Sequence, residues 1–456
     1  MSHTLTRDLG RFVAGLARGD LPESAVPVIQ TGFTDCIGVM IAGRNEPAPQ
    51  HLLKVVDPGE GSSHLLFGAR TAPAPEAAWI NATAAHALDF DDVAQRGHPS
   101  TVLAPSILAE AQALGASGPQ MLTAYAAGYE TWAELVRRDA DQHHGKGWHP
   151  TGIFGAIGAA AACASLHGLD AERTATALAL AASQSAGVMA NFGTMTKPFH
   201  AGCAAHSGVI SARLAAAGFS AALDALEHPQ GFLSAVSPKG RIDLDTACEA
   251  GNPWKLVQNK LSIKKYPLCF CTHRALDAVL DMLTETPVAL ADIAKITVST
   301  SRRNATVLRN HEPRTGLEAK FSMEFAMACA VIAGRASLVE LTDGFVLRDD
   351  VQKLIRRVSV APDDREDPAA PGYAPYDLVT IDLQGGRQLH SRRISTVRGG
   401  PDTPLSRDDL WRKFSQCVEA GGSMPHAASL FDTLMSLDTL PHVGQLPGLN
   451  TPRSPL

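Results

Sequence analysis

A chain of 456 residues with 45% hydrophobic and 19% charged side chains can bury a sizeable core, and its length predicts two or three domains. Lysine plus arginine number 40 against 46 aspartate plus glutamate, a formal charge of −6, so no global basic field exists to hold a phosphate backbone and nucleic acid is not an expected partner. The first eight residues contain no basic segment leading into an apolar run, which makes a cytoplasmic location the default, and the eight scattered cysteines fit reduced, mostly buried thiols.

From Leu5 to about Gly251 the pattern is helical, with runs at Ala104 to Leu114, Pro119 to Val136 and Ala171 to Ala186 separated by Gly, Pro or Asp. Small residues recur, as in Ala156-Ile-Gly-Ala-Ala-Ala-Ala-Cys-Ala164, and small side chains let helix axes approach closely. The longest apolar stretch by this reading, Gly152 to Leu166, falls short of the roughly 20 residues a membrane span needs. It reads as a core helix, and no membrane partner is expected.

After Trp254 the pattern changes. Lys295 to Thr300 alternates like a strand, Arg357 to Val360 is a second, and Asp377 to Leu383 passes through Gln384-Gly385-Gly386 into Gln388 to Ile394 as a hairpin. Helical segments at Phe321 to Ile332 and Asp349 to Arg356 make this an α+β unit. Beyond Gly399-Gly400-Pro401 the helical pattern returns, with Ser406 as an N-cap and the helix continuing to Val418. The expected fold class is therefore mainly α: a helical domain over 1–262, a smaller α+β domain over 263–398, and a return to the helical domain over 399–456.

Four short polar motifs interrupt the Ala-rich helices: His86-Ala-Leu-Asp89-Phe-Asp91-Asp92, Gly97-His98-Pro99-Ser100, Gly147-Trp148-His149-Pro150-Thr151 and Thr196-Lys197-Pro198-Phe199-His200. Core packing does not call for acids, histidines and a lysine beside Gly and Pro at element ends, whereas proton transfer does. If Asn81 to Val93 is one helix, His86 and Asp89 share a face, and a partly desolvated Asp89 would serve as a base or orient an imidazole. A solvated helix end is the equally weighted bland alternative.

His98 and His149 each precede a proline that suits the first position of a helix, so their turns would present a side chain and free backbone N–H groups to a carboxylate. Lys197 lies among apolar residues, a poor setting for a merely solubilising lysine. A second cationic group, Lys264, Lys265, His273 and Arg274, falls where the chain enters the α+β region, and the bland reading of its lysines and arginine, preferred for Lys264, is a solvated face. Asp91-Asp92-Val-Ala-Gln95 lacks the last acid of an Asp-Asp-x-x-Asp metal site, and no zinc, P-loop, dinucleotide or nucleophile-elbow motif is present. Acid–base chemistry with no metal and no cofactor remains.

These motifs, with Asn191-Phe-Gly-Thr-Met-Thr-Lys-Pro198, His200-Ala-Gly202 and Thr315-Gly-Leu-Glu-Ala-Lys-Phe-Ser322, resemble the MmgE/PrpD family over nearly the whole chain. That family includes 2-methylcitrate dehydratases, cis-aconitate decarboxylases and iminodisuccinate epimerases. The resemblance implies a discontinuous helical domain with an inserted α+β lid, a homodimer, and no metal or organic cofactor. It also implies a site at Asp89, His98, His149, Lys197 and His273. The family often has a hydroxyl residue where Val93 stands and a Tyr where Phe325 stands, so two hydrogen-bond partners would be missing from a polar site.

The reading that follows is an enzyme acting on a small di- or tricarboxylate. Lys197, with His273 or Lys265 and with His86 nearby, would bind carboxylates. His98 and His149 would exchange protons at the carbon next to one, and Asp89 would orient an imidazole. Elimination, as in a 2-methylcitrate dehydratase, is the favoured outcome; epimerisation and decarboxylation use the same apparatus. A non-catalytic carboxylate-binding protein is the alternative of another class.

Overall fold

Small side chains govern the first part of the chain, where helices pack with their backbones nearly touching. The protein is described from a computed structural model that covers residues 4–368, 372–422 and 424–449. It is mainly α-helical and divides into two compact units, Met1–Ile263 with Ser406–Leu456, and Lys264–Leu405.

In the first unit the long helices are α1 (Val26–Gly43), α2 (Ala74–Ala87), α3 (Pro99–Leu114), α4 (Gly118–Arg137), α5 (Pro150–Leu166) and α6 (Thr196–Ala216). Helix α5 packs against both α4 and α6, and α6 also packs against α2. Every residue of α5 from Pro150 to Ala164 is buried, so it is a central helix without a polar face. A Cβ on Gly208 of α6 would lie 2.3 Å from the Ala159 Cβ and 2.8 Å from the Ala160 nitrogen, which is why that helix crossing requires glycine. Pro99 and Pro150 open α3 and α5, placing His98 and His149 at the two N-cap positions.

Three expectations fail in this unit. The segment Asn81 to Val93 is not one helix: α2 ends at Ala87, Leu88 is its C-cap, and Asp89 is in the left-handed region at φ 52°. Long helices also stop at Ala216 rather than near Gly251, and residues 217–262 contain only the five-residue helices Phe232–Val236 and Lys255–Asn259. Gly218, Pro229, Gly231, Pro238, Gly240, Gly251 and Pro253 punctuate that stretch too often for a regular helix. Finally, Glu23–Gly43 is longer than Gly152 to Leu166 and apolar enough to cross a membrane, but 83% of its apolar window is buried among the protein's own residues. Thr34 and Asp35 in its middle hide the apolar run in the sequence; in the fold it is a core helix.

The second unit is built on a four-stranded sheet of β1 (Ile293–Ser301), β2 (Val358–Asp363), β3 (Leu378–Leu383) and β4 (Gln388–His390), in the order β2-β1-β3-β4. Strands β1 and β2 are parallel, with Ile296 opposite Val358; β3 runs antiparallel to both β1 and β4. Gly385 and Gly386, at φ 89° and 90°, make the β3–β4 turn. Helices α7 (His273–Glu285), α8 (Met323–Ala333) and α9 (Asp349–Ile355) contribute to its core, in which Leu276, Val279, Ile296, Val298 and Val379 are buried. Phe325 belongs to that core: it is wholly buried, with its ring 6.3 Å from that of Phe345. Where the family often has a Tyr, this chain thus has an apolar ring packed in the core of the second unit.

Helix α10 (Arg407–Ala420) returns the chain to the first unit, where it packs on α1. The Ser406 hydroxyl accepts the Asp409 amide at 3.1 Å as its N-cap. Its buried face is Leu410, Lys413, Phe414, Cys417 and Val418. The helix crossing at Gly208 gives a direct test of this packing. Gly208→Ala is expected to lower unfolding free energy by about 1–3 kcal/mol, measured by urea denaturation, because the α5 backbone leaves no room for a methyl group.

Candidate active site

The polar loop between α2 and α3 is set by backbone conformation. Aspartate tolerates the left-handed region better than bulkier residues, and the reversal at Asp89 directs Asp89 and Asp91 to different partners. Val93 then exchanges backbone hydrogen bonds with Ser262, at 2.9 and 3.0 Å, and Gln95 and Arg96, at φ 48° and 61°, turn the chain back at Gly97. The turn is pinned from outside. The Trp132 Nε1–H donates to the Gln95 carbonyl at 3.1 Å, and the Arg96 guanidinium donates to the carbonyls of Asp139 and Asp141 at 2.9 and 2.7 Å. A Cβ at Gly97 would lie 2.9 Å from Trp132 and 3.1 Å from the Thr151 nitrogen. The next amide, His98 N–H, donates to Thr151 Oγ1 at 3.2 Å, so the two His-Pro turns abut.

Asp91 is the centre of the resulting cluster. Its carboxylate oxygens lie 2.9 and 3.0 Å from His86 Nδ1, and Oδ2 lies 3.0 Å from His98 Nδ1. The Asp92 carbonyl accepts from the same His98 nitrogen at 2.8 Å. Carboxylates and carbonyls only accept, so in both neutral rings the proton belongs on Nδ1 and the lone pair on Nε2. The His86 ring stacks on His149 at 5.9 Å and tilts over His98 at 4.6 Å. His149 Nδ1 lies 3.2 Å from His200 Nδ1, close enough for the two rings to share one hydrogen. Lys197 forms an ion pair with Asp89, and its ammonium is 5.3 Å from the centre of the Phe192 ring.

Burial and charge together set the protonation states. Burial, with the nearby Lys197 ammonium, lowers His86 to about 4 despite the opposing pull of Asp91. His149 is held well below the usual imidazole range by burial and then by His86, Lys197, His98 and His200. His200 is lowered by burial and by Lys197. Burial opposes ionisation of Asp91, yet the imidazoles of His86 and His98 hold its carboxyl well below the usual range. Asp92 moves the other way: burial, Asp91 and Asp35 raise it well above that range, although the Ser100 amide and hydroxyl donate to it at 3.2 and 3.0 Å.

The structure thus gathers His86, Asp89, His98, His149 and Lys197 into one neighbourhood of the first unit, with different jobs from some expected. Asp89, expected to orient an imidazole, pairs with the Lys197 ammonium; the carboxylate at the imidazoles is Asp91. The residue-by-residue reading missed that role because Asp91 meets His86 only when the helix ends between them. His200, marked in the sequence only by its place in the Lys197 motif, joins the cluster through His149. Two of the backbone amides expected to receive a carboxylate are engaged internally: Ser100 N–H donates to Asp92, and Gly152 N–H donates to the His149 carbonyl at 2.9 Å. Asp92 is a built-in acceptor at the start of α3, so that end is already capped.

His273 and Lys265 belong to the second unit. His273 opens α7, fully buried, with Nε2 3.2 Å from the Leu268 carbonyl and its ring 5.2 Å from Tyr266. Lys265 is half-buried, its ammonium 5.9 Å from the Tyr266 ring centre. Lys264, expected on a solvated face, is instead buried.

His86, Asp91 and His98 present ligand atoms within 4.8 Å of one another, a set with metal-binding chemistry. The donor set fits hydrogen bonding better. With an accepting carbonyl 2.8 Å away, His98 Nδ1 carries a proton and has no lone pair for a cation.

Comparison with known proteins agrees with the motifs. The MmgE/PrpD N-terminal domain matches residues 7–245 and the MmgE/PrpD C-terminal domain matches residues 266–432. The chain belongs to the MmgE/PrpD family. It is 28% identical over 384 residues to a human cis-aconitate decarboxylase, covering 81% of this chain and 77% of the human protein. A mouse cis-aconitate decarboxylase is 28% identical over 75% of this chain and 71% of its own length. One from Aspergillus terreus is 21% identical over 99% of this chain and 97% of its own length.

The buried imidazoles predict an acid-sensitive fold. The folded-state value for His86, about 4, lies below its ordinary 6.5, so the unfolded chain binds more protons in between. Stability is fully present above pH 6.5 and falls as pH drops towards 4. His86 contributes on the order of 3 kcal/mol to that loss, and His149 acts in the same direction. Urea unfolding between pH 7.5 and 4.5 checks this, and His86→Asn should flatten the profile.

Proposed function

We propose that the protein is a lyase acting on a small di- or tricarboxylate, removing a proton from a carbon next to a carboxylate and expelling a β-substituent without a metal or organic cofactor. The observation that carries this reading is the Asp91 carboxylate on the Nδ1 atoms of His86 and His98, which leaves Nε2 as the basic nitrogen of each ring. Of those two rings His98 is the more accessible, with 14% of its side chain exposed against 0% for His86. His98 Nε2 takes the proton and the C–H electron pair moves onto the adjacent carboxylate as an enediolate-like charge; that pair then forms the C=C bond as the C–O bond breaks and the β-oxygen leaves with its bonding pair. Asp91 stabilises the imidazolium, which returns its proton to the departing hydroxyl as water.

Lys197 exchanges part of its pairing with Asp89 for the substrate carboxylate and stabilises the enediolate-like charge that develops there. His149, kept neutral by burial, is the second proton carrier of the cluster. The family resemblance supports a homodimer.

Decarboxylation is a second reading, favoured by the names of the human, mouse and Aspergillus relatives. There the carbon–carbon bond to a carboxyl breaks, carbon dioxide leaves, and the remaining electron pair accepts a proton from an imidazolium.

NMR in D₂O with 2-methylcitrate, cis-aconitate and iminodisuccinate separates the outcomes. An alkene formed with loss of water supports elimination, and carbon dioxide with a deuterated product supports decarboxylation. Exchange of the α-proton without net product replaces both with an isomerase, and silence with every substrate points to a different substrate or to a non-catalytic carboxylate-binding role. On the substrate that reacts, His98→Gln should lower kcat by about 10²–10⁴-fold. If Lys197→Ala and His149→Ala leave activity unchanged, the site assignment is wrong.

A further inference from the structure

Helix α10 carries a lysine where its pattern calls for an apolar residue. Leu410, Phe414, Cys417 and Val418 form its buried stripe, and Lys413 lies in the same stripe with only 5% of its side chain exposed. A lysine is rarely buried unless its charge is matched. The Lys413 ammonium lies 2.6 Å from Asp35 Oδ1 on α1, donates to the Phe90 carbonyl at 2.7 Å, and sits 4.0 Å from the centre of the Phe90 ring. It therefore grips both the main chain and the side chain of the one residue between Asp89 and Asp91.

That grip falls next to a strained residue. Asp89 is in the left-handed region, a conformation that persists in a non-glycine residue only when its surroundings enforce it. The peptide leaving Phe90 leads directly to Asp91, whose carboxylate sets the tautomers of His86 and His98. Asp35, Asp91 and Asp92 are all buried here, and Lys413 supplies a cation among them. We propose that Lys413 is a positioning residue for the acid–base cluster: by holding the Phe90 carbonyl it keeps Asp89 on Lys197 and Asp91 on the two imidazoles, tying the 406–449 segment to the chemistry. The inference rests on the acid–base reading above. A residue 323 positions from the loop it supports would pass unnoticed in any motif comparison.

Lys413→Met alone would leave the buried Asp35 carboxylate without this counter-charge, so the informative protein is Asp35→Asn/Lys413→Met, which removes both charges of the pair. The full-length double variant is expected to melt close to the wild type while kcat on the reacting substrate falls at least 10-fold and KM changes less than 3-fold. Ring-nitrogen NMR of ¹⁵N-histidine protein should show Nδ1-protonated His86 and His98 in the wild type and mixed tautomers in the double variant. That second readout needs no substrate, so it stands even if the proposed reaction fails. A double variant that keeps wild-type kcat, or wild-type ring-nitrogen signals, overturns the proposal and leaves Lys413 as a structural counter-ion to Asp35.

Discussion

The arrangement of imidazoles in the first unit depends on one buried carboxylate, Asp91. An ionised Asp91 away from water would be prohibitively unfavourable without strong donors, and the Nδ1–H groups of His86 and His98 are those donors. Satisfying Asp91 therefore also decides the two tautomers and the direction of the basic nitrogens. For His86 to reach it, α2 has to stop at Ala87 and the chain has to reverse at Asp89. The end of α2 at Ala87 and the left-handed Asp89 make that pairing possible, while the turn at Gly97 is held separately by Trp132 and Arg96.

Three acids within four residues end with three separate functions. Asp89 answers the Lys197 ammonium, Asp91 holds two imidazoles, and Asp92 caps α3 through the Ser100 amide and hydroxyl. Their side chains are chemically identical, and the differences come from what each one faces. Asp91 is driven to ionise by its imidazoles, whereas Asp92, buried near two other carboxylates, is driven towards the protonated form. Lysines distant in sequence, Lys197 and Lys413, balance the charge of this region from α6 and α10.

Much of the fold is legible in the residues. Proline after His98 and after His149 marks the starts of α3 and α5, because proline suits the first helical position and little else in a helix. Alternation identifies β1, and two glycines identify the β3–β4 turn, since both are local properties of the backbone. Local signals mislead where the outcome depends on competition. Thr34 and Asp35 disguise the long core helix at Glu23–Gly43, and Lys264 reads as surface although it is interior.

Helix starts, strand alternation, the four polar motifs and membership of the MmgE/PrpD family are written in the sequence itself, because each is carried by neighbouring residues whose backbone preferences and spacing do not wait for folding. Which acid serves the imidazoles, which proton sits on which nitrogen, and which lysine meets which carboxylate are decided only in the tertiary structure. Asp89 meets Lys197 across 108 positions and Lys413 meets the Phe90 carbonyl across 323, and short-range hydrogen bonds and burial exist only once packing has closed those distances.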